Sequence, residues 1–212
     1  MTRIAVIGGT GFAGRNIVAE ALERGHTVIS VARTLPGDRI EGATYLVGTI
    51  LDVPTLVGQL EGVEVVVVAT SPRGDMEGKM RDAVAELVAA LPEDVRVGVI
   101  GGAGGSLVAP DGPRLIDTDF PEEFKAEAFE AIGILEDLQA TDAARDWFFV
   151  HPAGGFGAFN PGERTGSYRV GGDVLVTDDA GESYISGPDL AVAVLDEIES
   201  PKHHRQRFTV GY

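Results

Sequence analysis

Short apolar runs alternate with longer stretches of helical period through the first 150 residues of the chain. The runs fit strands over Arg3–Ile7, Thr27–Ala32, Thr44–Val47, Glu64–Ala69, Arg96–Ile100 and Trp147–Val150. Between them, Phe12–Arg24 puts Ile17, Val18, Ala21 and Leu22 on one face before Gly25 ends it. Met76–Leu91 and Glu122–Asp142 carry a similar period. Val65-Val66-Val67-Val68 does not alternate, which suits a strand buried on both faces. This rhythm predicts parallel strands joined by right-handed crossover helices. The expected fold class is α/β, a Rossmann-type doubly wound sheet.

The texture changes after Pro152. Residues 153–188 are rich in glycine and hold only short strand candidates. They read as a small substrate-side lobe on the same domain, too short to hold a core alone. A helix over Pro188–Glu199 and a strand over Arg207–Val210 follow, so 1–212 is expected to be one domain. Ser186-Gly187-Pro188-Asp189 has the form of a helix cap, a plainer reading than a catalytic Asp189. The cluster Lys202, His203, His204, Arg205 and Arg207 reads as a solvated turn. Its adjacent histidines lack an acid or thiol at ligand spacing, so no metal is expected.

Composition narrows the function. The 212 residues are 44% hydrophobic, enough for one substantial core. No run of eighteen apolar residues exists, so no membrane span is expected. Met1-Thr2-Arg3-Ile4 leads straight into a strand pattern without the apolar segment of a signal peptide, and a cytoplasmic protein is expected. With no cysteine, thiol catalysis, disulfides and thiolate metal sites are excluded. A net charge of −16, from 17 basic and 33 acidic residues, repels nucleic acid and anionic lipid. It repels a phosphorylated cofactor too, so any such ligand must be held by local donors.

Those donors have a candidate in Gly8-Gly9-Thr10-Gly11-Phe12-Ala13-Gly14. A glycine triplet alone is weak evidence. This one follows the first strand and opens the first helix of a strand–helix–strand unit, the context a dinucleotide fingerprint requires. Gly8 permits the tight turn, Gly11 lets the backbone approach a pyrophosphate, and Gly14 allows close helix–sheet packing. The free N–H groups of the helix start then face the phosphates, aided by the helix dipole, and Thr10, Phe12 and Ala13 join the glycines as expected cofactor-binding residues. An NAD site usually adds an acid about 20 residues further on, for the ribose 2′-OH. Here the second strand ends Val31-Ala32-Arg33 with no acid until Asp38. Arg33 suits a 2′-phosphate, so NADP(H) is expected in preference to NAD(H).

The sequence resembles the bacterial NADH-flavin reductases, atypical relatives of the short-chain dehydrogenases that are similar in fold to biliverdin-IXβ reductase. The resemblance runs nearly end to end. Gly8–Gly14 carries it, with Gly101-Gly102-Ala103-Gly104-Gly105-Ser106-Leu107, Trp147 leading to Pro152-Ala153, Pro161–Arg169, and Arg207-Phe208-Thr209-Val210. It implies NADPH on the carboxyl edge of the sheet and a flat aromatic acceptor, FMN or FAD, above the nicotinamide. Two features depart from the pattern: the extra glycine in Gly104-Gly105, and His151 where relatives often carry a small polar residue.

Short-chain dehydrogenases typically use a tyrosine with a lysine four residues later. The residues four after Tyr45, Tyr168 and Tyr184 are Thr49, Gly172 and Pro188, and Tyr212 is terminal. Alcohol oxidation or epimerisation, which need that base, is disfavoured; flavin reduction is not, because water can supply the proton. Strand ends supply the remaining cofactor contacts: Ala69, Thr70 and Ser71, Gly102 and Ala103, Pro152 and Ala153, with Ile50 and Leu51 as candidates to pack on adenine. Candidates for chemistry are Ser106, Lys125 and His151, each with a plainer reading as a loop turn, a solvated lysine and an extended residue before proline. The leading expectation is an NADPH-dependent reductase of a flavin, quinone or biliverdin. The other is a redox sensor that binds NADP(H) and acts through a protein partner without turnover.

Overall fold

The computed structural model describes residues 1–212. Eight strands form one sheet in the order β3-β2-β1-β4-β5-β6-β8-β7. In chain order they are β1 (Arg3–Ile7), β2 (Thr27–Ala32), β3 (Thr44–Val47), β4 (Val65–Val68), β5 (Arg96–Ile100), β6 (Trp147–Pro152), β7 (Arg169–Gly172) and β8 (Gln206–Gly211). All neighbours are parallel except β7, which pairs antiparallel to β8. Five helices cover the faces: α1 (Phe12–Glu23), α2 (Val53–Gly58), α3 (Met80–Ala90), α4 (Lys125–Gln139) and α5 (Gly187–Glu199).

The sheet is buried on both sides, as its unalternated runs require. Along β4, Val66 and Val68 join the core beneath α2, α3 and α4, while Val65 and Val67 join the one beneath α1 and α5. Helix α1 ends where the left-handed Gly25 (φ +80°) turns the chain. The Gly25 N–H donates to Leu22 and the His26 N–H to Ala21, both at 2.9 Å, closing the last turn. The strand order reverses between β1 and β4, so the loops leaving those strands part there and open a crevice at the carboxyl edge.

Most elements fall where the apolar pattern predicts, with differences at the ends. The stretches expected to be helical from Met76 and Glu122 open instead as tight 3-10 turns at Gly74–Met76 and Glu122–Phe124, and the α-helices begin at Met80 and Lys125. Helix α2 was not expected, being too short to show a period. It is set by Asp52, whose carboxylate accepts from the Thr55 N–H at 3.3 Å, and by Pro54 in its first turn.

The basic cluster near the end is a turn, but only partly solvated. Buried Glu197 accepts from the backbone N–H groups of Lys202 and His203, from the His203 ring, and from Arg96 at 2.6 Å. Arg205 donates to the carbonyls of Thr141, Asp142 and Arg145. His203 and Arg205 lock β8 beside β6, while Lys202 and His204 keep their side chains exposed.

Candidate functional site

The glycine turn leaves β1 and enters α1. At Gly8, φ is +82° and an added Cβ would meet Thr70 Oγ1 at 2.6 Å, so the turns after β1 and β4 lie in contact. At Gly14 a Cβ would sit 2.2 Å from the Gly8 carbonyl oxygen, and at Gly9 2.4 Å from Ser30 Oγ. Gly11 differs: its Cβ would meet only the Gly8 carbonyl, at 3.3 Å. The fold itself demands glycine at the other three. Gly11 faces open space.

Helix α1 begins at that opening with no side-chain cap and no acid in its first turn. The N–H groups of Phe12, Ala13 and Gly14 donate to nothing in the chain. Three free donors and the positive end of a twelve-residue helix, facing a cradle that a Cβ would fill, fit a dinucleotide pyrophosphate.

At the end of β2, Arg33 extends into solvent and pairs with Asp75 of the 3-10 turn after β4. Asp38, the first acid beyond β2 in sequence, is turned away. It accepts from Arg15 at 3.0 Å, and its carbonyl accepts from Arg15 at 2.9 Å. Of the two residues expected to pack on adenine, Ile50 is 2% exposed and its side chain belongs to the core, a correction to the expectation. Leu51 is exposed and free to meet a ring. Ala69 and Thr70 are half-buried against the glycine turn, and Ser71 is exposed beside them.

Gly102, Ala103, Pro152 and Ala153 meet at the ends of β5 and β6, and the structure joins them through His151. This side chain is 1% exposed. Its Nδ1 lies 2.7 Å from the Gly102 carbonyl, which can only accept, so Nδ1 carries the proton and Nε2 the lone pair. Burial pushes the imidazole down to about 4, against the raising effect of the Gly102 carbonyl. Nε2 has no partner. The two departures noted in the sequence prove to be one feature: a Cβ at Gly105 would lie 2.8 Å from His151 Cε1, so the glycine makes room for the ring. Gly104 fits against Ala128 in the same way, at 2.8 Å. Arg207 fixes this turn from β8, donating to the Gly105 carbonyl at 2.8 Å and to Asp173 at 2.6 Å.

The three candidates for chemistry separate. His151 is neutral and points its only proton at the backbone. Ser106 is fully buried, its hydroxyl without a partner. Lys125, at the start of α4, pairs with exposed Glu122 at 2.6 Å. Asp189 has no free valence either. Ser186 caps α5 as expected, accepting from the Asp189 N–H at 3.1 Å. The Asp189 carboxylate accepts from Thr165 (N–H and hydroxyl), the Gly166 N–H and the Tyr212 hydroxyl. Burial alone raises its pKa, but these hydrogen bonds outweigh that and hold it below the usual range. With Arg164 bonded to Glu20 of α1, Asp189 ties the 161–168 loop down. That stretch is a structural clamp.

A groove of about 290 Å³ between α3 and α4 is lined by Val84, Val88, Ile134 and Leu138. Its arginines are engaged: Arg81 pairs with Asp137, and Arg145 donates to the carbonyls of Leu91, Pro92 and Val95. It lacks the free polar groups that converge at the carboxyl edge.

The sequence matches the NAD(P)H-binding family over residues 8–201. The chain belongs to that family. Among solved structures it is similar to a putative exported protein from Burkholderia pseudomallei, with 36% identity, TM-score 0.87 and full coverage of both chains. It is similar also to a putative NADH-flavin reductase from Streptococcus pneumoniae, with 31% identity and TM-score 0.85 over 100% of this chain and 99% of that one. A putative epimerase from Bacteroides thetaiotaomicron matches with 31% identity and TM-score 0.83, over 100% of this chain and 97% of that one. The chain has an oxidoreductase-like fold that binds NAD(P)H. No helix is long and apolar enough to cross a membrane.

Proposed function

We propose that this protein is an NADPH-dependent reductase that passes a hydride to a flavin, FMN or FAD, or to a similar flat acceptor such as a quinone or biliverdin. The observation that carries the reading is that none of the three candidates for chemistry offers an available proton. His151 is neutral with its proton committed, Ser106 is sealed in, and Lys125 is paired on the surface. No tyrosine of the chain is followed four residues later by lysine. Epimerisation or carbonyl reduction calls on a side-chain acid or base; a flavin does not, because one hydrogen arrives with its electron pair as hydride and the other as a proton from water. The likeness to the Streptococcus pneumoniae protein supports the same choice.

Bound at the glycine turn, NADPH supplies the hydride, and NADPH, H⁺ and FMN become NADP⁺ and FMNH₂. The chain's own work is positioning. The free N–H groups of Phe12, Ala13 and Gly14 would hold the pyrophosphate and Arg33 the 2′-phosphate. Leu51 would lie on the adenine. The Gly102–Ala103 and Pro152–Ala153 edges would set the height of the nicotinamide, with His151 fixing the Gly102 backbone. NADPH consumption followed with FMN, with a quinone and without acceptor tests the reading. Rapid oxidation with FMN is expected. Tight NADPH binding with no turnover on any acceptor would instead favour a sensor.

A further inference from the structure

We propose that Asp75 sets how far the site discriminates between the two nicotinamide dinucleotides, by holding the Arg33 guanidinium until a 2′-phosphate displaces it. The inference rests on the assignment of Arg33 to the cofactor's 2′-phosphate and concerns what that arginine must first give up.

The end of β2 offers no acid of its own, since Thr34, Leu35, Pro36 and Gly37 follow Arg33. Asp38 is spent on Arg15. The carboxylate that reaches Arg33 comes from 42 residues further on, at the 3-10 turn after β4. That turn is shaped to present it. Gly74 holds φ +60°, and Lys79 donates its ammonium to the Asp75 carbonyl at 2.9 Å, leaving the carboxylate to Arg33 alone. Arg73, the other cation of the turn, pairs with Glu127 of α4.

Carboxylate and phosphate compete for the same fork of guanidinium donors, and a guanidinium satisfied by one is lost to the other. Asp75 therefore weakens NADPH twice: it occupies Arg33, and its charge opposes the incoming phosphate. NADH carries a hydroxyl there and pays neither cost. Both side chains are exposed, 59% for Arg33 and 68% for Asp75, so the pair is weak enough for a phosphate to open. Asp75 thus narrows the gap that Arg33 creates.

The test uses adenosine 2′,5′-bisphosphate and 5′-AMP as probes, with dissociation constants measured by calorimetry at low and high salt, and needs no turnover. Wild type is expected to prefer the bisphosphate. D75N should tighten the bisphosphate by about three- to tenfold at low salt and less at high salt, leave 5′-AMP within about twofold, and keep the wild-type melting temperature because the pair is exposed. In an R33A background the same change should have a smaller effect, because only the repulsion between carboxylate and phosphate is left to relieve. Unchanged bisphosphate affinity in D75N, beside a selective wild type, would overturn the inference while leaving the role of Arg33 intact. Equal tightening of both probes would overturn it too, since Asp75 would then act as a general charge. A wild type that binds both probes alike would remove the reading of Arg33 itself.

Discussion

Replacing His151 by asparagine separates two things the imidazole does. Asparagine can still offer an N–H to the Gly102 carbonyl, which His151 Nδ1 approaches at 2.7 Å, but it does not titrate. In the folded protein, burial pushes this histidine from 6.5 to about 4. That gap corresponds to roughly 3 kcal/mol. The sign follows from proton counting. As pH falls below 6.5 the unfolded chain takes up a proton at this position and the folded chain does not, until about 4. The contribution is fully present above the unfolded value and is lost as pH falls through the folded one. Urea unfolding of both proteins across the acid range reads it directly, because the other titrating groups are common to both and cancel in the difference. Between about pH 7 and pH 4, wild type should lose roughly 3 kcal/mol more than His151→Asn. Curves that stay parallel would mean that the ring is solvated or charged in the native state, and the argument against a proton donor would fall. The kinetic counterpart is a kcat with FMN that drops less than about tenfold in His151→Asn and varies little from about pH 6 to pH 8, against the ~10²–10⁴-fold expected of an obligatory acid.

Three further outcomes follow from the same geometry. Gly11→Ala should fold, since its Cβ meets only the Gly8 carbonyl at 3.3 Å, yet lose at least about tenfold in NADPH affinity by calorimetry; wild-type affinity would put the pyrophosphate elsewhere. Arg33→Ala should weaken NADPH by about 1.5–3 kcal/mol and leave NADH nearly unchanged, and equal losses for both would refute the 2′-phosphate assignment. Asp189→Asn should cost about 2–3 kcal/mol in denaturant unfolding, because a buried acceptor of four hydrogen bonds gains two hydrogens with nowhere to donate; an unchanged midpoint would mean the 161–168 loop is not held there.

The sheet was legible because burial on both faces writes itself as unbroken runs such as Val65–Val68, and α1 because its apolar face ends at Gly25. The glycine turn was legible for a similar reason: chain connectivity brings Gly8, Gly11 and Gly14 together, and context distinguishes them from an ordinary turn. Asp75 was not legible. It lies 42 residues from Arg33, and no local spacing records that two turns at the sheet edge face each other. The meaning of Gly105 was hidden in the same way, since only the packing of the turn after β5 on β6 sets it against the His151 ring. Nor does the pattern of Pro161–Arg169 reveal that it clamps a loop to α1 and α5; its partners Glu20 and Asp189 stand at opposite ends of the chain.

The central claim is direct hydride transfer to a flat acceptor held face to face with NADPH, and an anaerobic single turnover with FMN tests it most directly. Oxidation of NADPH and bleaching of the flavin should follow one rate constant with matched stoichiometry, and NADPH deuterated at the transferring C4 position should slow both equally. NADPH that binds but leaves the flavin oxidised, or that is consumed only when a carbonyl compound replaces it, would contradict the account.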